Sequence, residues 1–295
     1  MNDQSLHGAQ FLTGLIGRGI QRSRSPRLHE EEGRAQGLQL IYKLFDFAAL
    51  DWDEAKLPAL LDALQLAGFA GVNVTHPYKQ AVIPWLDELS EQAARIGAVN
   101  TVVFHDGRRI GFNTDVTGFS AGFRAGLPDA KLGHAVQMGA GGAGAATAHA
   151  LMHLGLERLT LIDLDRDRAE RLCANLNAHY GAGRASAGEA LEAAMESADG
   201  VANPPPIGMP AYPGSSIPPG LLTARHWVAD IVYVPLETEL LTSARAIGCA
   251  TLDGSGMVIF QAAGAFELFT GRAADPTRMR AFFKTPEPES VPRFD

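Results

Sequence analysis

A glycine-rich segment in the middle of the chain constrains its fold more than any other feature. The segment reads Gly139-Ala140-Gly141-Gly142-Ala143-Gly144, which matches the spacing G-x-G-x-x-G. It directly follows an apolar, strand-like run at 135–138 and opens an alanine-rich helical run at 145–154. In this context the spacing predicts a tight turn from strand to helix, with room for a pyrophosphate at the helix N-terminus. A plain turn that only packs its helix closely is the structural alternative.

The second half of the chain, from about residue 131 to 252, alternates strands and helices. Strand-like runs at 135–138, 159–162, 200–202 and 228–232 are separated by segments with helical spacing. Alternation of this kind predicts a parallel, doubly wound sheet, because parallel neighbours need crossover connections that are usually helical. We therefore expect a Rossmann-like domain around the glycine-rich segment.

The first half of the chain mixes strands and helices differently. Strands are predicted at 11–16, 40–45 and 71–74, and a helix is predicted at 57–64, ending before Gly68. Further runs at 99–104 and 109–112 flank Asp106-Gly107, a pair that is typical of a hairpin turn. This half is therefore expected to form a separate αβ unit with a mixed sheet.

An acidic residue after the second strand of the parallel series indicates which dinucleotide would bind. Asp163 lies 19 residues after Gly144, close to the spacing of about 20 at which a carboxylate contacts the adenine ribose. Such a carboxylate accepts both ribose hydroxyls of NAD and repels a 2′-phosphate, so NAD is the predicted cofactor. Arg166 and Arg168 lie just beyond and could still reach the ribose. A helix N-cap is the structural alternative for Asp163, and Asp165 could fill that role as well.

The first half also supplies a candidate acid–base pair. Lys79 follows the strand 71–74 after a turn that contains Pro77, and Asp115 follows the strand 109–112. Hydride transfer at a carbinol carbon needs a group that moves the hydroxyl proton, and a lysine can do so when an acidic partner orients it. An ordinary surface salt bridge is the alternative that spacing alone leaves open.

Composition excludes several other classes of protein. The formal net charge of −8 gives no general attraction to nucleic acid, and no apolar run approaches the roughly 20 residues that span a bilayer. Cys173 and Cys249 are too few for a disulfide framework, and the start at Met1 lacks the profile of a signal peptide. His149 and His153 lack the Glu of H-E-x-x-H, so no metal site is expected. We expect a soluble, cytoplasmic protein.

Together these patterns predict an α/β protein of two domains, as a length of 295 residues also suggests. The first is an N-terminal mixed-sheet αβ domain at 1–118. The second is a Rossmann-like, doubly wound parallel-sheet NAD domain at 119–253. Residues 285–295, rich in Pro and Glu, are predicted to be a disordered tail.

Several ordered motifs make the chain resemble the shikimate/quinate dehydrogenase family over about residues 8–284. The motifs are Gly17-Arg18-Gly19-Ile20-Gln21-Arg22-Ser23-Arg24-Ser25-Pro26-Arg27-Leu28-His29, Asn73-Val74-Thr75-His76-Pro77-Tyr78-Lys79, Gly97-Ala98-Val99-Asn100-Thr101, Asn113-Thr114-Asp115-Val116-Thr117-Gly118, Asp230-Ile231-Val232-Tyr233 and Gly256-Met257-Val258-Ile259-Phe260-Gln261.

The resemblance implies that the chain returns at 254–284 to the first domain, so that 1–118 and 254–284 together form the substrate domain. It also implies a role for each matching position. Lys79 and Asp115 would be the catalytic pair, and Ser23, Ser25 and Tyr233 would hold the carboxylate of a small polyhydroxy acid. Its ring hydroxyls would be bound by Thr75, Asn100, Asp115 and Gln261. The nucleotide would contact the glycine-rich segment with Asp163, Asn203 and Gly256. Capping of the helix that begins at Pro26 is the structural alternative for the two serines, and it is compatible with binding an anion there.

Departures from the family pattern refine this expectation. Asp163-Leu164-Asp165 stands where members that use NADP commonly carry Asn-Arg-Thr, which resembles the NAD-using branch. The run Asn203-Pro204-Pro205-Pro206 replaces the family's Asn-Ala-Thr-Pro.

The residue at position 25 bears on the substrate. In the family, threonine at this position tends to accompany the use of quinate, so the serine of this chain favours shikimate. Quinate or aminoshikimate as substrate, and a ligand-sensing regulator without catalysis, are the open alternatives. A homodimer is the base-rate expectation.

Overall fold

The computed structural model describes residues 8–188 and 190–284. The start of the chain near Met1 and the tail 285–295, for which we made predictions above, lie outside the described residues. The elements of the first half are β1 (Gln10–Gly17), α1 (Ser25–Ala35), β2 (Gln39–Asp46), α2 (Leu57–Leu66), β3 (Gly71–Val74), β4 (Glu88–Leu89), α3 (Glu91–Ile96), β5 (Thr101–His105), β6 (Arg108–Phe112) and α4 (Asp115–Gly126).

The remaining elements follow in chain order. They are β7 (His134–Met138), α5 (Gly142–His153), β8 (Arg158–Ile162), α6 (Arg166–Tyr180), β9 (Ala185–Ala187), α7 (Leu191–Glu196), β10 (Gly200–Asn203), β11 (Trp227–Asp230), α8 (Glu239–Ile247), β12 (Ala250–Leu252), α9 (Ser255–Thr270) and α10 (Pro276–Lys284).

The first sheet is mixed, in the order β2-β1-β3-β5-β6-β4. Strands β1, β2 and β3 are parallel, whereas β5 pairs antiparallel with both β3 and β6. The hairpin between β5 and β6 turns at Asp106 and Gly107, both with positive φ, as a two-residue turn of this kind requires. Helix α2 covers one face of the sheet through Leu57 and Leu61, and α1 and α9 cover the other through Leu28 and Phe266.

The second sheet is parallel throughout, in the order β12-β11-β10-β7-β8-β9. Strand β7 has β8 on one side and β10 on the other, so the strand order reverses at the point where the glycine-rich segment leaves β7. Crevices at such reversals are where open α/β sheets bind ligands. The α/β class and the Rossmann-like second unit predicted from the sequence are confirmed.

Two strand boundaries differ from the prediction by two residues, and the other boundaries of the predicted strands agree to within one residue. Strand β11 ends at Asp230 rather than at Val232, because the Asp230 carboxylate accepts a hydrogen bond from the Val232 N–H (3.0 Å) and turns the backbone out of the sheet. Strand β5 begins at Thr101 rather than at Val99. The short strands β4, β9 and β12 were not predicted, since two or three residues show no periodicity.

Helices α4 and α9 cross where the chain passes between the two sheets, and glycines bring their backbones together. A Cβ atom at Gly118 would lie 2.8 Å from the backbone nitrogen of Gln261, and one at Gly122 would lie 3.1 Å from the carbonyl carbon of Gly256. Separations this short leave no space for any side chain larger than hydrogen. The crossing therefore fixes the start of α4, which carries Asp115, relative to Gln261 on α9.

Helix α10 is fastened to α1 by a buried ion pair. The side chain of Glu32 is fully buried and accepts two hydrogen bonds from the Arg278 guanidinium, at 2.6 and 2.7 Å. Burial alone would raise the pKa of Glu32, but the bonds from Arg278, Gln36 and Asp275 outweigh it and lower that pKa. The last described helix is thus an integral part of the first unit.

His29 on α1 makes the stability of the fold sensitive to acid. It is fully buried, stacks on Tyr42 with ring centroids 4.6 Å apart, and burial lowers its pKa to about 3. Below pH 6.5 this histidine is protonated in the unfolded chain but stays neutral in the folded chain, so the free energy of unfolding falls by about 1.4 kcal/mol per pH unit.

Replacing His29 by Phe should therefore make the fold less sensitive to acid. When the pH is lowered from 6.5 to 5, the free energy of unfolding, measured with urea, should fall by about 2 kcal/mol less in His29→Phe than in the parent. The same change at exposed His153 is the control, and equal acid sensitivity in His29→Phe and the parent would refute this account.

Candidate active site

Lys79 and Asp115 form an ion pair within the cleft between the two units. The Lys79 Nζ lies 2.7 Å from Asp115 Oδ2, and the two side chains are only 16% and 7% exposed. The surface salt bridge that the sequence left open is therefore wrong, because this pair is largely withdrawn from solvent. A Cβ atom at Gly142 would lie 3.8 Å from Lys79 Cδ, so the lysine extends towards the glycine-rich segment of the other unit.

Two elements of the mixed sheet place this pair. Lys79 follows β3 through a turn whose His76–Pro77 peptide bond is cis, and His76 itself is exposed at that turn. Asp115 is the first residue of α4, and its backbone N–H donates to Asn113 Oδ1 at 3.0 Å. The carboxylate thus lies at the N-terminus of α4.

Asn100 lies beside the pair, and its amide orientation is fixed. The backbone N–H of Thr114 donates to Asn100 Oδ1 at 2.8 Å, and the Thr101 hydroxyl donates to the same atom at 2.9 Å. The Asn100 Nδ2 donates one hydrogen to Thr114 Oγ1 at 3.0 Å. What Asn100 can offer a ligand is therefore its second N–H, as a donor to a hydroxyl oxygen.

The serines of the motif lie at the beginning of α1. No side chain caps that helix at its N-cap residue, Arg24, although Ser23 Oγ accepts a bond from the Ser25 N–H at 3.3 Å. The serine-cap alternative is thus realised only by this one long bond. Tyr233 follows β11, and burial raises its pKa while the charge of Arg24 opposes that rise.

The other two residues expected to bind the ring hydroxyls, Thr75 and Gln261, lie on different elements of the first unit. Thr75 continues β3, and its backbone N–H donates to the Ile16 carbonyl at 2.9 Å. Gln261 projects from α9 at the crossing with α4, and its Nε2 donates to the Val258 carbonyl at 3.2 Å. Gln261 thus lies against α4, the helix that begins at Asp115, and Thr75 lies at the start of the turn that leads from β3 to Lys79.

The glycine-rich segment forms the turn from β7 into α5, as predicted. Gly139 has φ +83°, a conformation that favours glycine, and a Cβ atom at Gly144 would lie 2.4 Å from the Gly139 carbonyl oxygen. Gly141 differs from both, because its φ is −69° and nothing lies within 4 Å of the place of a Cβ. Internal packing gives no reason for glycine there, whereas close approach of a pyrophosphate to the start of α5 does. Ala140 and Ala143 complete the turn, so the segment fits a dinucleotide.

Four hydrogen bonds hold the carboxylate of Asp163, and one of them joins it to this turn. Its side chain is 3% exposed and accepts bonds from the Ala140 N–H (2.6 Å) and the Asp165 N–H (2.8 Å). Arg168 donates two more, from Nη2 (2.6 Å) and Nε (3.1 Å). Burial acts to raise the pKa of Asp163, but these bonds hold it below its usual value.

The neighbourhood of Asp163 is open to a ligand. A cavity of about 400 Å³ lies there, lined by Asp163, Arg166, Ala169, Ala187 and Gly188. Asp165, not Asp163, caps α6 by accepting a bond from the Arg168 N–H at 3.1 Å. The N-cap alternative for Asp163 is therefore wrong. Arg168, whose side chain is 46% exposed, lies between the carboxylate and solvent.

Asn203 and Gly256 have structural partners of their own. Asn203 is fully buried, donates to Asp230 Oδ1 at 3.0 Å and accepts from Ser216 at 2.7 Å. A Cβ atom at Gly256 would lie 3.2 Å from the Gly122 Cα. Pro205, one of the three prolines after Asn203, packs on Gly139. These contacts shape the loops around the glycine-rich segment, and nucleotide contacts of Asn203 and Gly256 stay predictions.

Sequence reasoning missed Tyr42, Asn73 and Thr114 as parts of the site. All three are polar and buried, and they hydrogen-bond one another or Asn100 beneath the cleft. The available signal was Asn73, a polar residue in the otherwise apolar strand Gly71–Val74. Among residues 8–188 and 190–284, no group of three His, Cys, Asp or Glu residues is arranged to hold a metal ion. Within the same ranges, no helix is long and apolar enough to span a membrane.

Comparison with known proteins places this site in a family. The family description "Shikimate dehydrogenase substrate binding domain" matches residues 15–102, and "Shikimate 5'-dehydrogenase C-terminal domain" matches 254–281. A shikimate dehydrogenase (NADP(+)) from Streptomyces avermitilis is 54% identical over 273 residues, which cover 92% of this chain and 94% of the relative. The chain belongs to the shikimate dehydrogenase family. As a member of this family it is a pyridine-nucleotide oxidoreductase. The resemblance that the motifs indicated is confirmed.

Other members of the shikimate dehydrogenase family differ in the cofactor that they are named for. A quinate/shikimate dehydrogenase (NAD(+)) from Corynebacterium efficiens is 51% identical over 92% of this chain and 97% of the relative. The solved quinate dehydrogenase from Corynebacterium glutamicum in complex with NAD has a TM-score of 0.88 at 49% identity, covering 94% of this chain and 99% of that one. Membership of the family therefore does not decide between NAD and NADP or between shikimate and quinate. Both choices depend on the residues of this chain.

Proposed function

We propose that the protein is an NAD-dependent dehydrogenase that interconverts shikimate and 3-dehydroshikimate. The observation that carries the proposal is the buried Lys79–Asp115 pair, which lies close to Asn100 and Thr114 in the first unit and extends its lysine towards the glycine-rich turn. A proton-moving group, a site for a polyhydroxy acid and a dinucleotide turn are what such an oxidation needs. In domain terms, residues 1–118 and 254–284 would hold the substrate and 119–253 the nucleotide.

Lys79 and Asp115 divide the proton chemistry. In the oxidation, Lys79 acts in its neutral amine form: Nζ accepts the proton of the ring C3 hydroxyl as the C–O bond becomes a carbonyl and the hydride leaves the same carbon. In the reverse direction the resulting ammonium, the form that pairs with Asp115, returns that proton. Asp115, at 2.7 Å, orients the amine and accepts a bond from a substrate hydroxyl. NAD, when bound, takes up the hydride. The limited exposure of the pair keeps bulk water from competing for the proton.

The polar residues expected around this pair suit an acid with several hydroxyl groups. Ser23, Ser25 and Tyr233 would hold the carboxylate, where the start of α1 adds its positive dipole. Thr75, Asn100 and Gln261 would bind the ring hydroxyls, and the fixed amide of Asn100 makes it a donor. Each such bond that a wrong substrate leaves unmade costs about 1–3 kcal/mol, because the protein group stays buried and unpaired.

The choice of NAD rests on Asp163. Its carboxylate lies beside the cavity at the end of β8, where it would accept the adenine ribose hydroxyls and repel a 2′-phosphate. Four hydrogen bonds occupy this carboxylate, so the ribose must take the place of Arg168, the partner with the more exposed side chain. The backbone donors at Ala140 and Asp165 would hold the carboxylate in position during that exchange.

Quinate is the second candidate substrate, because the relatives named quinate/shikimate and quinate dehydrogenase are about as similar to this chain as the shikimate dehydrogenase relative. Quinate differs from shikimate by a hydroxyl on a saturated ring carbon, next to the carboxylate that Ser25 would hold. In the family that this chain resembles, threonine in this slot tends to accompany the use of quinate, and because position 25 is serine here we retain shikimate.

The proposal is tested by measuring kcat/KM for shikimate, quinate and aminoshikimate, each with NAD and with NADP. We expect the highest value for shikimate with NAD. A preference for NADP would contradict the argument from Asp163, and a preference for quinate would contradict the argument from Ser25. Absence of turnover with all six combinations, in a protein that still binds shikimate, would instead favour a ligand-sensing regulator.

A further inference from the structure

A glutamine side chain lies inside the glycine-rich turn and joins its two ends. Gln137 belongs to β7, in the interior of the parallel sheet, and is fully buried. Its Nε2 donates to the Gly139 carbonyl at 2.9 Å and to the Gly144 carbonyl at 2.9 Å. A Cβ atom at Gly144 would lie 3.3 Å from the same nitrogen. The amide of Gln137 therefore fills the inner side of the turn.

The orientation of this amide follows from its two partners. Both are backbone carbonyl oxygens, which can only accept hydrogen bonds, so Nε2 and not Oε1 must face them. The Oε1 atom of Gln137 is buried, and within the described part of the chain it has no hydrogen-bond partner. An apolar side chain would avoid this unpaired acceptor. Stability of the sheet thus gives no reason for an amide at this position, whereas the two bonds to the turn do.

The first of these bonds fixes the peptide group that joins the turn to Asp163. The Gly139 carbonyl and the Ala140 N–H belong to one trans peptide, in which they point in opposite directions. Gln137 holds the carbonyl on the inner side of the turn. The N–H on the opposite side donates to Asp163 Oδ2 at 2.6 Å. If this peptide turned over, its carbonyl oxygen would face the carboxylate, and two acceptors would oppose each other.

The second bond acts on the start of α5. Gly144 lies in the first turn of that helix, and its carbonyl is joined through Gln137 to β7. The N–H groups of this turn, which would bind the pyrophosphate, therefore keep a fixed direction relative to the sheet. We propose that Gln137 is a positioning residue for the nucleotide, which holds the turn ready for the pyrophosphate and Asp163 ready for the ribose. This inference rests on the proposed function only in that the turn is taken as the dinucleotide site.

Gln137→Met should weaken nucleotide binding and leave the substrate site unaffected. Methionine has a similar size but no donor, so the turn spends less time in the conformation that binds, and the apparent Kd rises in proportion. We expect the Kd for NADH, measured by fluorescence titration, to rise about tenfold, the effect of one or two net hydrogen bonds. The Kd for shikimate, measured by calorimetry on the protein without nucleotide, should be unchanged. A general loosening of the fold would raise both.

Two further variants complete the experiment. Gln137→Asn keeps both donors on a shorter side chain that does not reach both carbonyls, so the Kd for NADH should rise by about threefold, and this variant serves if Gln137→Met does not fold. Thr160→Val, on the neighbouring strand β8, is the matched control. It removes a buried hydroxyl that lies 2.9 Å from His134 Nε2 and should leave the Kd for NADH unchanged.

The outcomes distinguish the inference from the proposed function. An unchanged Kd for NADH in Gln137→Met, or an equal rise in the Kd for shikimate, would overturn the role of Gln137 alone. Gly141→Val tests the site itself, because its side chain would enter the open space beside the turn and should abolish NADH binding. Normal NADH binding in Gly141→Val would refute the dinucleotide site, and the inference would fall with it.

Discussion

Lys79→Ala should lower kcat by about 10²- to 10⁴-fold, the usual contribution of a positioned acid–base group. The substitution removes the amine that lies 2.7 Å from Asp115 and leaves the glycine-rich turn intact. The Kd for NAD should therefore stay within about twofold of the parent value, an expectation for binding that does not involve the reacting groups. Steady-state kinetics and a fluorescence titration with NADH measure the two quantities.

Two further variants test whether the effect belongs to the pair. Asp115→Asn keeps the size of the side chain but removes its charge, and we expect a loss of kcat of the same kind. Lys43→Ala removes an exposed lysine from β2 of the same sheet and should leave kcat unchanged. Near-normal turnover in Lys79→Ala would refute the assignment of the proton-moving group.

Asp163→Asn should shift cofactor preference towards NADP by a factor on the order of 10², as expected when a hydrogen bond to a charged group is exchanged for a new one. Asparagine keeps an oxygen for the Ala140 N–H, so the turn is preserved. Its loss of charge releases the Arg168 guanidinium, which lies within 3.1 Å of the carboxylate and could then pair with a 2′-phosphate. The quantity to measure is the ratio of kcat/KM with NADP to kcat/KM with NAD.

The chain offers a matched control for this experiment two residues away. Asp165→Asn also removes one negative charge, yet asparagine caps a helix as well as aspartate does, so α6 should be unaffected and the cofactor ratio should change little. Adding Arg168→Leu to Asp163→Asn should abolish the gain with NADP. If Asp163→Asn alone left the ratio unchanged, the carboxylate would not be the group that selects the cofactor.

Much of the fold was predictable because its signals are local. The glycine-rich turn, the hairpin at Asp106 and Gly107, and the longer strands each depend on residues within one short segment. The dinucleotide turn is the clearest case, since Gly139 and Gly144 are required by the backbone itself. The short strands β4, β9 and β12 were not predicted, because segments this short form strands only by pairing with a neighbouring strand of the sheet.

The bonding within the site was not predictable in the same way. The motifs brought Lys79 and Asp115 to attention, but only the fold shows that the pair is buried. The sequence suggested that Arg168 could reach the adenine ribose. Its two hydrogen bonds to Asp163 could not be predicted, because they depend on the path of the chain into α6. The buried pair of Glu32 and Arg278 joins residues 246 positions apart, and no periodicity connects them.

The backbone contact between α4 and α9 bears on the order in which ligands bind. Asp115 and Gln261 lie next to this contact, so their separation is set within the first unit and does not depend on whether the nucleotide site is filled. Tyr233, in contrast, follows β11 and would approach the proposed carboxylate site from the second unit. We therefore expect random-order kinetics, in which shikimate binds without a nucleotide. Any synergy between the two ligands would then be transmitted through Tyr233 rather than through the ring-hydroxyl contacts.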